Sequence, residues 1–223
     1  MNIRLSHIIS QNTPSYGNRD KIFIRDNSSI KKGDSANSSC WIFSNNHIGT
    51  HIDSAHHFCE NGKKTFEIPI DDFFFNNVCL VDIPCTNAQL ISSKHFESIK
   101  SIDKNVDLLL IRTGFENFRH EDRYWNDCPG LSAELADYLR SNFSKLRCVG
   151  FDFISLTSWQ YRQEGRLSHL NFLCPTGDKK SLLVIEDMAL NGINMPLSQV
   201  IVAPIFVEDG NGGAVTVFGT YNT

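Results

Sequence analysis

Residues 47–58 read HIGTHIDSAHHF, and the placement of their histidines decides how the rest of the chain is read. Four of the eight histidines fall within the eleven residues from His47 to His57, where uniform scatter would put about 0.4. His47, His51, Asp53 and His57 stand at offsets 0, 4, 6 and 10. All are even, so an extended chain would carry these side chains on one face. A helix would not, because His51 and Asp53 would lie about 200° apart around its axis. Gly49 permits a bulge or a close backbone approach. Imidazoles together with a carboxylate are ligands for Zn2+, Mn2+ or Fe(II), and Asp53 has two oxygens with which to bridge a pair of ions. His56 has the opposite parity and is expected to point away, unless a bend at Ser54 and Ala55 exchanges it with His57. The competing explanation is a cluster of surface or core histidines that holds no metal, and spacing alone does not separate the two.

Outward from this segment, short apolar runs rich in Val, Ile, Leu and Phe recur at residues 21–24, 40–43, 78–83, 107–113, 147–151, 182–185, 200–207 and 214–218. Their length and β-branched content favour strands. Ser93 to Lys100 and Ser132 to Phe143 instead carry apolar residues at helical spacing, the second behind a serine able to cap. DGNGG, residues 209–213, reads as a hairpin loop between two strands. No repeat, low-complexity tract or Pro/Ser linker interrupts the 223 residues, so a single sheet-rich α/β domain spanning 1–223 is expected.

Composition narrows the function classes. Hydrophobic residues make up 41% and charged residues 21% of the chain, which is globular usage and not that of a disordered or fibrous protein. The net charge is -4, from 21 basic and 25 acidic residues. No basic run exceeds two residues, which argues against a nucleic-acid or anionic-membrane partner. No stretch approaches the roughly 20 apolar residues of a membrane helix. The first thirty residues show no secretion signal, so the expected setting is cytoplasmic. The seven cysteines are scattered, with no Cys-x-x-Cys pair; free thiols in a reducing compartment are expected.

HIGTHIDSAHHF resembles the His-x-Gly-Thr-His-x-Asp-x-Pro-x-His-Phe signature of the metal-dependent cyclase family, which includes bacterial kynurenine formamidases and isatin hydrolases. The resemblance runs nearly end to end and keeps its order, through RLSH (4–7), LLLIRTGF (108–115), PGLS (129–132), VGFDFISL (149–156) and LLVIEDM (182–188). It implies a sheet-rich fold of the swivelling β/β/α type, assembled as a homodimer or higher homo-oligomer. It also implies that His47, His51 and Asp53 bind one divalent ion, Zn2+ or Mn2+. In two-metal members His57, His169 and Glu186 would hold a second; in one-metal members His57 and His169 act on the substrate as catalytic groups. The implied activity is metal-dependent hydrolysis of an amide or lactam C–N bond in a small molecule, an aryl formamide first and a cyclic imide or lactam next. A metal-dependent lyase or cyclase acting on a carbonyl compound, and a non-catalytic metal-stabilised binding protein, are the alternatives.

Three departures bear on this. Ala55 stands where the family usually has proline, which loosens a turn and removes no ligand. Thr157 stands where aspartate is frequent. CPTGDKK, residues 174–180, lengthens the connection between His169 and Glu186. Without the resemblance, His169 on its apolar segment reads as a core histidine, and Glu186 could be neutralised by Arg112 or Arg147 in place of a metal.

Overall fold

The computed structural model describes residues 1–222 except 98, 100 and 101. Its strands are β1 (Asn2–Arg4), β2 (Ile22–Ser28), β3 (Ser38–Phe43), β4 (His51–Asp53), β5 (Phe74–Phe75), β6 (Val78–Asp82), β7 (Leu90–Ile91), β8 (Leu108–Arg112), β9 (Gly130–Leu131), β10 (Cys148–Phe151), β11 (Leu183–Glu186), β12 (Leu197–Pro204) and β13 (Gly212–Tyr221). The α-helices are α1 (Ser93–Glu97), α2 (Arg123–Asn126), α3 (Ala133–Asn142) and α4 (Arg162–Leu173). Lys100, expected at the end of the first helix, lies outside the described residues.

The main sheet runs β5-β12-β13-β4-β11-β10-β8-β6, with β1 added alongside β13. β6, β8, β10 and β11 are parallel neighbours, whereas β11, β4, β13, β12 and β5 pair antiparallel. The end strands β5 and β6 are joined in sequence by Asn76 and Asn77 alone. Eight strands laid flat would separate the ends by roughly 34 Å at the usual inter-strand spacing, and a two-residue link cannot span that. The sheet therefore curls until its ends nearly meet. The Asp107 carboxylate fastens the closure, accepting the backbone N–H of Asn76 at 3.1 Å and of Asn77 at 3.0 Å.

Alternation along each strand sorts side chains to two cores. Leu108, Leu110, Cys148 and Ile185 point inside the curl with Val200, Val217 and Leu5, while Leu109, Ile111, Val149 and Val184 point outward and pack under α3 and α4. Burial on both faces explains why the parallel strands read as unbroken apolar runs. This mixed sheet, nearly closed and flanked by helices, is the swivelling β/β/α arrangement.

Several local expectations change. The histidine segment is extended only from His51 to Asp53; Gly49 at φ +72° turns the chain before it, and a 3-10 turn at Ala55–His57 follows. The even-parity argument thus holds for His51 and Asp53, while His47 and His57 reach the same side from turns. Ser132 occupies the cap position of α3, but its hydroxyl donates to Glu134 at 2.9 Å, and the first helical N–H, that of Ala133, is taken by Glu164 of α4 at 2.7 Å. The expectation of free thiols fails for Cys59 and Cys174, which form a disulfide across 115 residues. No local spacing announces such a bond; it arises because the turn after His57 packs against the end of α4.

Candidate metal centre

β4 is the seam between the parallel and antiparallel halves of the sheet, and its register assembles the site. His51 pairs with Glu186 of β11 on one side and with Ala214 of β13 on the other; Asp53 pairs with Val184 and Gly212. Residue 212 has no room for a side chain, since a Cβ there would come within 2.5 Å of the Ile52 carbonyl and 2.7 Å of the His47 ring. From across the opening, α4 contributes His169. All six residues singled out in the sequence, His47, His51, Asp53, His57, His169 and Glu186, line one cavity of about 410 Å³.

Within it, two sets of ligand atoms each lie within 4.8 Å of one another: His47, Asp53 and His57, and His51, Asp53 and Glu186. Asp53 belongs to both. The resemblance grouped His51 with His47 and Glu186 with His57, so the distances partition the six differently. His169 Nε2 stands 3.8 Å from an oxygen of Asp53 and 3.8 Å from one of Glu186, between the two sets.

The rings are aimed by backbone carbonyls. His51 Nδ1 lies 2.8 Å from the Gly49 carbonyl and His169 Nδ1 2.9 Å from that of Gly165. A carbonyl only accepts, so each Nδ1 carries the hydrogen and each Nε2 is turned toward the carboxylates. His51 Nε2 comes within 3.3 Å of Glu186 Oε2 and 3.5 Å of Asp53 Oδ1, yet it is buried and meets hydrogen-bond geometry with neither. His47 Nδ1 lies 2.7 Å from Asp53 Oδ1, and its ring stacks on His57 at 3.9 Å. Glu186 Oε1 accepts the Leu156 N–H at 2.7 Å.

Arg112 and Arg147 do not neutralise Glu186. Arg112 pairs with Asp82 at 2.6 Å, and Arg147 serves Asp72, Asp107 and the Phe74 carbonyl. Asp53 and Glu186, 1% and 4% exposed, thus have imidazoles as their only ion-pair partners among the described residues. Burial by itself would raise the Asp53 carboxyl, but His47, with His57 and His51 behind it, overrides burial and holds it well below the usual carboxylate range. Burial disfavours the His51 cation, and the neighbouring Glu186 and Asp53 outweigh it, raising that imidazole to about 9. Burial lowers His57 to about 4, against the opposing charge of Asp53. Two buried carboxylates with an orphaned imidazole nitrogen directed between them form a donor set suited to a divalent cation.

The Cyclase family profile matches residues 3–157. The chain belongs to the Cyclase family. It is 26% identical over 169 residues to a kynurenine formamidase of Bacillus thuringiensis subsp. konkukian, covering 76% of this chain and 73% of that protein. It is 34% identical over 110 residues to an uncharacterised protein of Haemophilus influenzae, covering 48% of this chain and 78% of that one. Its fold is similar to that of isatin hydrolase A from Labrenzia aggregata bound to benzyl benzoate, with a TM-score of 0.80 at 17% identity, over 100% of this chain and 94% of that one. An isatin hydrolase bound to the product analogue thioisatinate superposes with a TM-score of 0.76 at 17% identity, over 98% of this chain and 91% of the other. Membership of the Cyclase family and the two His/Asp/Glu sets together support a metal-dependent activity.

Against this Cyclase background, the departure at Thr157 acquires a partner: its Oγ1 lies 3.1 Å from His169 Nδ1. His56 is not among the cavity-lining residues. Asn211 was read only as part of a loop, yet its Oδ1 lies 3.0 Å from His47 Nε2 and its carbonyl accepts from Ser54. Phe58 stacks on His169 at 4.6 Å and covers one face of that ring. Trp41 is 65% exposed on the β2–β3 hairpin. Among the described residues no helix is long and apolar enough to cross a membrane.

Proposed function

We propose that this chain is a metal-dependent hydrolase of a small-molecule amide or lactam C–N bond, with an aryl formamide of the N-formylkynurenine kind as first substrate and a cyclic imide or lactam next. The observation that carries it is that two buried carboxylates, Asp53 and Glu186, have no charge partner but imidazoles among the described residues, one nitrogen of which makes no hydrogen bond. His47, His51, Asp53, His57, His169 and Glu186 are the residues that would hold Zn2+ or Mn2+, one or two ions per chain, and the ion would supply Lewis acidity toward a carbonyl and lower the pKa of water.

The chain's own groups do the rest. His57, lowered by burial to about 4, is neutral at pH 7, so its lone pair is available to an ion in the cavity without competition from a proton. If a single ion is held without His169, that ring, fixed through Nδ1 by the Gly165 carbonyl, has Nε2 left to take a proton from the attacking water and pass it to the departing amine. Phe58, stacked on that ring, keeps water from one side of it. The relatives' name, kynurenine formamidase, supports the order of substrates; the isatin hydrolases share the fold and support the second class. The chain acts as one domain, and as a homodimer or higher homo-oligomer, for which exposed Phe23, Trp41 and Ile42 of the β2–β3 hairpin offer apolar surface.

The test is hydrolysis of N-formylkynurenine, isatin and simple formanilides by tag-free protein loaded with zinc or manganese. C–N cleavage that disappears on chelation and returns with the ion is expected, with His169→Ala slower by about 10²- to 10⁴-fold. If no amide is cleaved while a carbonyl addition or elimination substrate is turned over, the hydrolase reading fails and the lyase reading replaces it.

A further inference from the structure

One wall of the cavity carries charge that cleaving a C–N bond does not itself require. Along α4, Arg162, Arg166 and His169 recur at i, i+4 and i+7, which confines their side chains to a sector of about 60°. All three line the cavity, and Arg19 joins them from the N-terminal segment. The chain is acidic overall, at -4, so three guanidinium groups around one opening run against its general charge.

These arginines also lack the ion pairs that several others make. Arg112, Arg119, Arg140 and Arg147 are each paired with an aspartate. Among the described residues Arg19, Arg162 and Arg166 make no ion pair. Arg162 lies 4.7 Å over the ring of Trp159, which is braced by Tyr16 at 5.2 Å and Trp125 at 5.5 Å. Stacking of this kind fixes a guanidinium plane while its N–H groups remain able to donate. Asp20, the cavity-lining carboxylate outside the histidine cluster, is engaged by the Asn45 side chain at 3.2 Å.

We propose that the cavity selects an amide that also carries a carboxylate, which docks on Arg162 and Arg166 while the bond to be cleaved lies beside His169. This rests on the amide-hydrolase reading above. Arg166 is three residues and Arg162 seven residues before His169, about 4.5 and 10.5 Å along the helix axis. An aromatic ring or a short aliphatic spacer covers that range. A guanidinium takes a carboxylate through two parallel hydrogen bonds, and fixing the remote end of the substrate orients its amide at the reacting end. A neutral lactam leaves both arginines without a ligand.

The experiment is calorimetric titration of zinc-loaded, tag-free protein with 3-benzoylpropionate and with the neutral alcohol of the same skeleton. Neither has a C–N bond, so binding is read without turnover, and failure of this proposal is distinguishable from failure of the hydrolase reading. The carboxylate is expected to bind about ten-fold or more tightly than the alcohol. That ratio should fall to near one in R162Q/R166Q, with an intermediate value in R166Q; both sites are exposed, and thermal melting checks that each variant folds. A ratio near one in the wild type, no binding of either compound up to millimolar concentration, or a preference that survives in the double variant because the carboxylate sits elsewhere, each overturns the proposal.

Discussion

Strand β11 ends on Glu186, and Asp187 follows it directly, so that two neighbouring carboxylates have opposite surroundings. Glu186 faces the cavity and meets His51 and His169; Asp187, at φ +53°, turns behind it and accepts from Arg119 at 2.8 and 2.7 Å and from the Tyr124 hydroxyl at 2.6 Å. Their exposures, 4% and 1%, are alike, so burial does not distinguish them. The partners do. Asp187 has a permanent cation and closes its own charge balance, whereas Glu186 has only imidazoles, whose charge depends on protons. A buried carboxylate whose neutralisation is conditional is one that a divalent ion can take over.

Breaking each side should therefore do different things. Arg119→Leu leaves Asp187 buried without its cation and should cost about 3–5 kcal/mol in denaturant unfolding. Glu186→Gln, measured in chelated protein, keeps an acceptor for the Leu156 N–H and should cost less than Arg119→Leu, because His51 can shed its proton when the carboxylate is gone whereas Asp187 has no such relief. Equal losses would erase the contrast.

Metal sharpens it in the other direction. At about 100 times its dissociation constant, zinc should stabilise the wild type by about 2.7 kcal/mol. Arg119→Leu should retain that gain on top of its lower baseline, and Glu186→Gln should lose most of it. A full gain in Glu186→Gln would remove Glu186 from the centre.

The third contrast is with pH. In chelated protein the His51 imidazole is raised from its ordinary 6.5 to about 9, against burial, by Glu186 and Asp53. Its contribution to stability is complete below pH 6.5 and is lost as pH rises through 9. His57, lowered chiefly by burial, and Asp53, lowered by its imidazoles against burial, change below that window. On the Asp187 side, burial lowers Arg119 but Asp187 more than restores it, and Tyr124 is pushed far up by burial, so neither changes between pH 6.5 and 9. Thermal melts should accordingly fall over that range in chelated wild type and in Arg119→Leu, and stay flat in His51→Gln.

The strands were legible because both faces of the parallel half are apolar, so every buried residue of Leu108–Ile111 announces itself. α4 was not. Its buried positions 165, 168, 169, 172 and 173 follow the helical repeat, but Gly165, Ser168 and His169 fill three of them, and the apolar stripe is too thin to read. Four of the six clustered residues stand in the signature and His169 and Glu186 follow only from the wider resemblance, whereas their grouping was not visible, because it depends on the β4–β11 register that sets His51 against Glu186. Asn211 and Gly212 looked like loop filler since their roles are a contact to His47 and room for it, neither of which leaves a sequence pattern. The Cys59–Cys174 bond was hidden for the same reason: only folding brings the two residues together.

The claim that these six residues form a divalent-cation centre is tested most directly by metal content. Tag-free wild type and Asp53→Asn, exposed to zinc or manganese and then freed of unbound ion, should be compared by elemental analysis, with circular dichroism to show that both are folded. One or two ions per wild-type chain, and a clear loss in Asp53→Asn because that carboxylate belongs to both ligand sets, is the predicted result. A wild type that retains no ion, or a variant that retains as much as the wild type, would contradict it.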